Sequence, residues 1–322
     1  MSKALLVETR GGPEVMRWTD VDVGSPGPGE VKLRHRAIGL NFVDIYQRDG
    51  TYKLDLPFVP GNEGAGEVLA VGEGVELFKP GDYVAYSGVV GAYAEERLIK
   101  ADRLVHVPND IDSETAAAVM LKGTTAYYLL FLTHAVKPGE TVLFHAAAGG
   151  MGLISCRWAK ALGARVIGTA GSAEKVELAR ENCDEVINYN EEDFVARVRE
   201  LTGGRGVDVV YDGVGKATFE RSLDCLRPRG LMVSFGNASG VVSIPNLGIL
   251  ASKGSLYLTR PTGSAYFQTP EDYRHAARAV FEAVRSGAIK VTITRRFALQ
   301  DAGEAHEALA SRQTTGSVIL LP

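Results

Sequence analysis

The 322-residue chain reads as an α/β protein, in which a compact β-barrel domain is followed by a doubly wound parallel sheet. Three observations predict this. Short strand-like runs broken by Gly and Pro fill the first third, which is the texture of a small barrel. From Val136 strand-like and helix-like runs alternate, as a parallel sheet covered on both faces requires. The last stretch then returns to strand, helix and strand. The expected division is 1–122 for the first part of the barrel domain and 123–262 for the parallel sheet. Residues 263–322 form a return segment that packs back onto the barrel.

In chain order, "PGPGEVKLRHRAIGL" opens on turn residues and then alternates Val31, Leu33, His35 and Ala37 along one strand face. "GAGEVLAVGEGV" and "FKPGDYVAY" repeat that style, with Pro80-Gly81-Asp82 as a turn between them. "SETAAAVMLKGTTAYYLLFLTHA" reads as helix, with Ser113 placed to cap it. Six strands follow: "TVLFHA", "RVIGTA", "EVINY", "VDVVYDG", "LMVSFG" and "SLYLTR". Helical runs such as "ISCRWAKAL" and "AEKVELAREN" lie between them. After Pro261 comes an amphipathic helix, "EDYRHAARAVFEAVRSG".

Composition narrows the function. A hydrophobic content of 45% and a charged content of 23% are those of a globular protein. A net charge of -4 carries no basic footprint for nucleic acid or anionic lipid. No apolar run approaches the ~20 residues that cross a bilayer, and "MSKALLVETRGG" lacks a signal-peptide core. The expectation is therefore a cytoplasmic protein with neither membrane nor nucleic-acid partner. Cys156, Cys183 and Cys225 are odd in number and widely spaced, so neither a disulfide framework nor a zinc lobe is expected. They read as small buried hydrophobes. The six histidines never fall at i, i+4 spacing, and no metal is expected.

"HAAAGGMG" stands between the first of the six strands and its helix. It has the spacing of G-x-G-x-x-G with Ala147 at the first glycine. Gly149 lets the backbone approach a pyrophosphate, and Gly152 lets the helix sit close to the strand. Gly150 and Met151 complete the turn, and the helix N-terminus offers its N–H groups and partial positive charge. Its place after a strand, before a helix and first among six strands marks a dinucleotide site. NAD sites carry an acid about 20 residues further on, against the ribose 2′-OH. Here Thr169-Ala170-Gly171-Ser172 stands there, with no acid to repel a 2′-phosphate, so NADPH is the expected cofactor. Ser172 is placed to cap the next helix, and Lys175 lies in its first turn, where an anion is held.

These motifs occur in order along nearly the whole chain, with "GLNFVDIYQRDGTY", "PFVPGNEGAGEV", "MLKGTTAYYLL", "GVDVVYDGVG", "SFGNASG" and "SRQTTGSVILLP". Together they resemble the zinc-independent quinone oxidoreductases, the zeta-crystallin-like branch of the medium-chain dehydrogenase/reductase superfamily. The resemblance implies a GroES-like substrate domain built from both chain ends, a central Rossmann domain, and a cleft between them. It also implies a homodimer with the last Rossmann strand, around Ser255 to Arg260, near the contact. Zinc alcohol dehydrogenases of the superfamily place a metal-binding cysteine where this chain has Asn41. They place a histidine where it has Asn62, although Glu63 remains. Without a Lewis acid, alcohol oxidation is hard to support. Reducing an electron-poor quinone or enone needs only hydride delivery and a hydrogen bond to the oxygen that gains charge.

By the same resemblance Asn41, Asp44, Tyr46 and Tyr52 line the substrate end of the cleft. Tyr52 would hydrogen-bond the substrate oxygen, and Asn41 would orient substrate or nicotinamide. Thr125 is placed near the nicotinamide and its ribose, and Tyr189 beside the 2′-phosphate. Phe235, Gly236 and Asn237 are placed at a strand end facing the cofactor, and Arg312 is placed to reach the cofactor phosphate. Three functions stay open: NADPH-dependent quinone reduction, reduction of activated C=C bonds in enones or substituted acrylates, and NADPH binding with little turnover. A small anionic acrylate would want a cation facing it, from Arg48, Lys53 or Arg260.

Overall fold

The structure, a computed structural model, describes residues 1–322. The chain forms two compact units. The first comprises Met1–Thr125, Phe267–Val284 and Val291–Pro322, and the second Ala126–Tyr266 and Arg285–Lys290. Both boundaries fall a few residues beyond those read from sequence, and Arg285–Lys290 of the return segment groups with the second unit.

In the first unit a sheet runs in the order Ile293–Ala298, Ser317–Leu321, Glu30–Gly39, Glu63–Val71, Tyr83–Ser87 and Val105–His106. Glu96–Lys100 pairs beside Glu30–Gly39 as its seventh strand. Ser317–Leu321 places Leu320 opposite Ile38, so the C-terminal strand does return to the first unit. Alternation along Glu30–Gly39 buries Val31, Leu33, His35 and Ala37, the face expected from the sequence. Leu33, Ile38, Val68, Val84, Tyr86 and Leu320 pack into one core.

A second core lies where the Ala-rich helix Ser113–Tyr127 meets the helix Pro270–Arg285, through Ala116, Ala117, Met120, Tyr273, Ala277 and Phe281. Small residues set that approach: a Cβ on Gly123 would stand 2.5 Å from Val280. Ser113 turns out to be the first helical residue. The cap is Asp112, whose Oδ1 accepts the Thr115 N–H at 2.7 Å.

That helix continues through a π-helical segment, Tyr128–Thr133. The combined 21 residues include an 18-residue window of mean hydropathy 1.2, long and apolar enough to cross a membrane by length and composition. This corrects the expectation that no apolar stretch reaches such a length. The window is 67% buried inside the protein, which is the setting of a core helix.

The second unit is a six-stranded sheet with every neighbouring pair parallel. The order is Glu185–Asn188, Arg165–Ala170, Thr141–Phe144, Val207–Asp212, Leu226–Ser234 and Tyr257–Thr259. Counted along the chain this is 3-2-1-4-5-6, the doubly wound dinucleotide order, with its switch point between Thr141–Phe144 and Val207–Asp212. Those two strands are buried at every residue, as central strands covered on both faces must be.

Candidate active site

In the second unit the glycine turn opens at the end of the central strand Thr141–Phe144. Ala146 takes a left-handed conformation (φ 54°), and its carbonyl accepts the Gly149 N–H at 2.9 Å. The helix Gly150–Ala161 follows, with Gly149 at its N-cap and no side-chain cap. Its first hydrogen bond to the cap runs from Leu153 N to Gly149 O at 2.9 Å. The N–H groups of Gly150, Met151 and Gly152 therefore precede the helical ladder and have no acceptor within it. A Cβ on Gly152 would lie 2.4 Å from Ala146 O and 2.5 Å from Ala147 Cα, so only glycine fits. A Cβ on Gly149 would meet nothing nearer than Ala146 O at 3.2 Å, which leaves that side of the turn open. Uncapped donors beside open space fit a pyrophosphate. Ala147, expected at the phosphate, is instead fully buried, its N–H on Thr169 O at 2.9 Å. It supports the turn from beneath.

Beyond the neighbouring strand Arg165–Ala170, Ser172 caps the helix Ala173–Arg180 by accepting the Lys175 N–H. Gly171 lies under the Tyr189 hydroxyl, which a Cβ there would approach to 2.4 Å. Asn190 Nδ2 donates to Gly171 O at 2.7 Å. Gly171, Ser172, Lys175 and Tyr189 thus share one corner, with Lys175 half-buried and Tyr189 38% exposed. Phe235, Gly236 and Asn237 follow the strand Leu226–Ser234, and Phe235 N donates to Asp212 O at 2.9 Å. A Cβ on Gly236 would lie 2.3 Å from Gly213 O.

Sequence reasoning missed Asp212 and His145 here, and named Arg260 only as a cation for an anionic substrate. Asp212 is fully buried and accepts from the Val214 and Gly215 N–H groups and from the Thr218 hydroxyl, which shapes the loop at the switch point. His145 joins Thr169 Oγ1 (2.9 Å) to Ser222 Oγ (2.8 Å), and burial holds its imidazole below the ordinary value. Arg260 donates to the carbonyls of Ser234 (2.8 Å) and Gly236 (3.2 Å), bracing the Phe235–Asn237 loop.

In the first unit Asn41 precedes the helix Phe42–Asp49, and its backbone N–H donates to Asp44 Oδ2 at 2.9 Å. Asp44, expected to face substrate, is fully buried. Its carboxyl also accepts Asn62 Nδ2 (2.7 Å) and the Tyr93 hydroxyl (3.0 Å). It therefore orients Asn41 and presents nothing to a ligand. Burial raises its pKa to about 7, against the three donors that favour the charged form. Arg48 carries only donors, so His306 Nδ1 accepts from it (2.9 Å) and Nε2–H donates to Tyr93 (2.9 Å). Tyr93 then passes its own hydrogen to Asp44. Asn62 and Gln47 close the set by pairing their amides.

Asn41 is 8% exposed, and its side chain meets Glu63 and Lys122. Half-buried Tyr46 and 38%-exposed Tyr52 form a pair, with ring centroids 5.2 Å apart in an edge geometry and Tyr52 N on Tyr46 O. Thr125 is half-buried near the end of its helix. Arg312 is exposed, with φ 61°, in the turn after the helix Ala302–Ala310. Glu63, Tyr93, Lys122 and His306 had no assigned role in the sequence. No group of three or more His, Cys, Asp or Glu side chains clusters as a metal site. The side-chain oxygens of Asn41 and Asn62 accept from Lys122 and Gln47, and two such amides do not fit zinc.

Comparison with known proteins agrees with this geometry. Residues 27–109 match the alcohol dehydrogenase GroES-like domain, and residues 150–282 match the zinc-binding dehydrogenase domain. The chain is 54% identical to a quinone oxidoreductase of Pseudomonas aeruginosa over the full length of both proteins. It is 46% identical to a 2-haloacrylate reductase of a Burkholderia species, covering 100% of this chain and 99% of that one. The crystal structure of Escherichia coli quinone oxidoreductase complexed with NADPH superposes with a TM-score of 0.97 at 49% identity, covering 99% of this chain and 100% of that one. The chain belongs to the quinone oxidoreductase family of the medium-chain dehydrogenase/reductase superfamily.

Proposed function

We propose that the protein is an NADPH-dependent quinone reductase that works without a metal. The observation that carries this reading is the open glycine turn, with three unladdered N–H groups, together with an acid-free stretch from Thr169 to Ser172 after the neighbouring strand and Lys175 in the helix turn that follows, beside Glu174. The second unit supplies most of the cofactor residues, and Thr125 and Arg312 of the first unit are proposed with them. Gly149, Gly150, Met151 and Gly152 take the pyrophosphate, while Gly171, Ser172, Lys175 and Tyr189 take the adenosine end, joined by Arg312 at the 2′-phosphate. Phe235, Gly236, Asn237 and Thr125 serve the nicotinamide end. NADPH supplies the hydride when bound. Asn41, Tyr46 and Tyr52 hold the quinone and donate hydrogen bonds to the oxygen that gains charge, and water supplies the proton that completes the hydroquinone. Asp44 acts through Asn41.

Two arginines that would favour an anionic acrylate are committed elsewhere. Arg48 is buried, on Gly11 O and His306. Arg260 is bound to two carbonyls. Lys53, the third such cation, is exposed; with both arginines committed, quinones lead. We also infer a cytoplasmic homodimer that pairs along the edge strand Tyr257–Thr259, where Tyr257 is 62% exposed; Val241 (62%) and Leu247 (70%) of the same unit are exposed too.

The test follows nicotinamide absorbance with a quinone, an enone and a haloacrylate, comparing NADPH and NADH at matched concentrations. Fast NADPH oxidation by quinones, much slower with NADH, is the expected result. Turnover on the C=C substrates alone would move the function to alkene reduction. Tight NADPH binding with no turnover would overturn the enzyme reading.

A further inference from the structure

Lys122 lies in the long helix of the first unit with its side chain only 8% exposed. Its ammonium has three hydrogens and three acceptors: Leu40 O (3.3 Å), Asn41 Oδ1 (2.9 Å) and Glu63 Oε1 (3.0 Å). Glu63 is fully buried. Its Oε1 also accepts Asn41 Nδ2 at 2.7 Å, and its Oε2 accepts the Leu121 N–H at 2.6 Å. Lys122, Asn41 and Glu63 therefore form a closed triangle with a hydrogen bond on every side.

The triangle removes the usual ambiguity of an amide. Lysine only donates and an ionised carboxylate only accepts, so the Asn41 oxygen must face Lys122 and its nitrogen must face Glu63. One Asn41 N–H is taken by Glu63. The other meets only Gly39 O, at a long 3.4 Å. Asn41 thus has a weakly engaged donor to offer, while its acceptor is held inward.

We propose that Lys122 is the positioning residue that makes Asn41 a one-way hydrogen-bond donor to the substrate oxygen. This rests on the reading above that Asn41 contacts substrate. As an oxygen gains negative charge during reduction, a donor stabilises it, whereas a flipped amide carbonyl would repel it. A buried ion pair alone is weak grounds for a functional role, since apolar replacements are often tolerated. The third member of the triangle sets this pair apart: both of its ends grip one amide.

The experiment compares Lys122→Met, the double variant Lys122→Met/Glu63→Gln, Asn41→Ala and the triple variant. The readouts are Tm, NADPH Kd by nicotinamide fluorescence, and kcat and KM with a quinone. Lys122→Met leaves Glu63 unpaired and lowers both Tm and kcat. The double variant removes the stranded charge, so Tm recovers while kcat stays ten- to hundredfold low and NADPH Kd stays within twofold of the parent. Asn41→Ala loses a similar factor, and the triple variant loses no more than Asn41→Ala alone. Recovery of kcat together with Tm in the double variant would reduce Lys122 to a counter-charge and overturn the proposal. An additive loss in the triple variant would overturn it as well. If Asn41→Ala turns over normally, the reading of Asn41 itself falls and takes the proposal with it.

Discussion

The two units build their sites from different materials. The second uses backbone: a run of eight residues, His145 to Gly152, presents N–H groups that no side chain caps. The first uses side chains drawn from distant positions. Asn41, Asp44, Asn62, Glu63, Tyr93, Lys122 and His306 belong to a buried network held by hydrogen bonds between side chains. A backbone site tolerates any side chain that leaves the turn its shape. A side-chain network tolerates few changes, because each loss strands a partner away from water.

The largest effect should come from filling the backbone site. Gly152→Ala forces a Cβ to 2.4 Å from Ala146 O and 2.5 Å from the Ala147 backbone, with no flexible side chain to give way. The turn must open, and NADPH affinity falls more than a hundredfold by fluorescence titration. Met151→Ala, one residue earlier, keeps the N–H and changes affinity little. Equal losses in the two variants would show that the side chains of the turn matter, erasing the contrast between the units.

The corresponding strike on the first unit is Gly39→Ala. Its Cβ would lie 2.1 Å from Glu63 Oε1 and 2.4 Å from Ala117 O. Overpacking of this kind costs about 1–3 kcal/mol, and the displaced carboxylate releases both Lys122 and Asn41. Denaturant unfolding should shift by that amount, and quinone turnover should fall while NADPH affinity holds. A fall in NADPH affinity of the same size would mean that the site does not divide as proposed.

This contrast also explains what the sequence disclosed. Gly149 and Gly152 were legible because their constraint is local: a strand, a tight turn and a helix in consecutive residues. The missing acid after Arg165–Ala170 and the cap at Ser172 were legible for the same reason. Lys122, Tyr93 and His306 carry no local signal. His306 reaches Tyr93 from the helix Ala302–Ala310, which precedes the strand Ser317–Leu321 paired with Glu30–Gly39, while Lys122 reaches Asn41 and Glu63 from the helix Ser113–Tyr127. Asp44 is given to the substrate end by family resemblance, which carries no information on burial, whereas its enclosure among three donors makes it a positioning group. The helix cap moved from Ser113 to Asp112 because both residues suit the role, and only the Asp112–Thr115 bond distinguishes them.

A milder probe of the second unit is Lys175→Ala. A hydrogen bond to a charged group contributes about 1.5–3 kcal/mol, so the KM for NADPH should rise roughly ten- to hundredfold. The KM for NADH, which lacks the 2′-phosphate, should not move. Equal shifts for both cofactors would place Lys175 elsewhere along the dinucleotide.

The smallest effect belongs to protons in the first unit. Burial, then the Arg97 charge, lowers His35 to about 3, while burial, then the Arg48 charge, lowers His306 to about 3. Below pH 6.5 the unfolded chain binds protons that these folded imidazoles refuse, so their contribution is full above 6.5 and is lost as pH falls toward 3. Asp44 runs the other way. With its pKa raised to about 7, its contribution is full below its ordinary value of 3.8 and is lost as pH rises through 7. Between pH 6.5 and 3.8, each histidine therefore removes about 1.4 kcal/mol per pH unit on acidification, and Asp44 returns about as much. The net loss from these three groups is about 1.4 kcal/mol per pH unit. Asp44→Asn abolishes the return and should steepen the acid limb of the whole protein's stability, measured by denaturant unfolding at successive pH values, by that amount. An unchanged slope would mean that Asp44 is ionised at all these pH values, its three donors outweighing its burial.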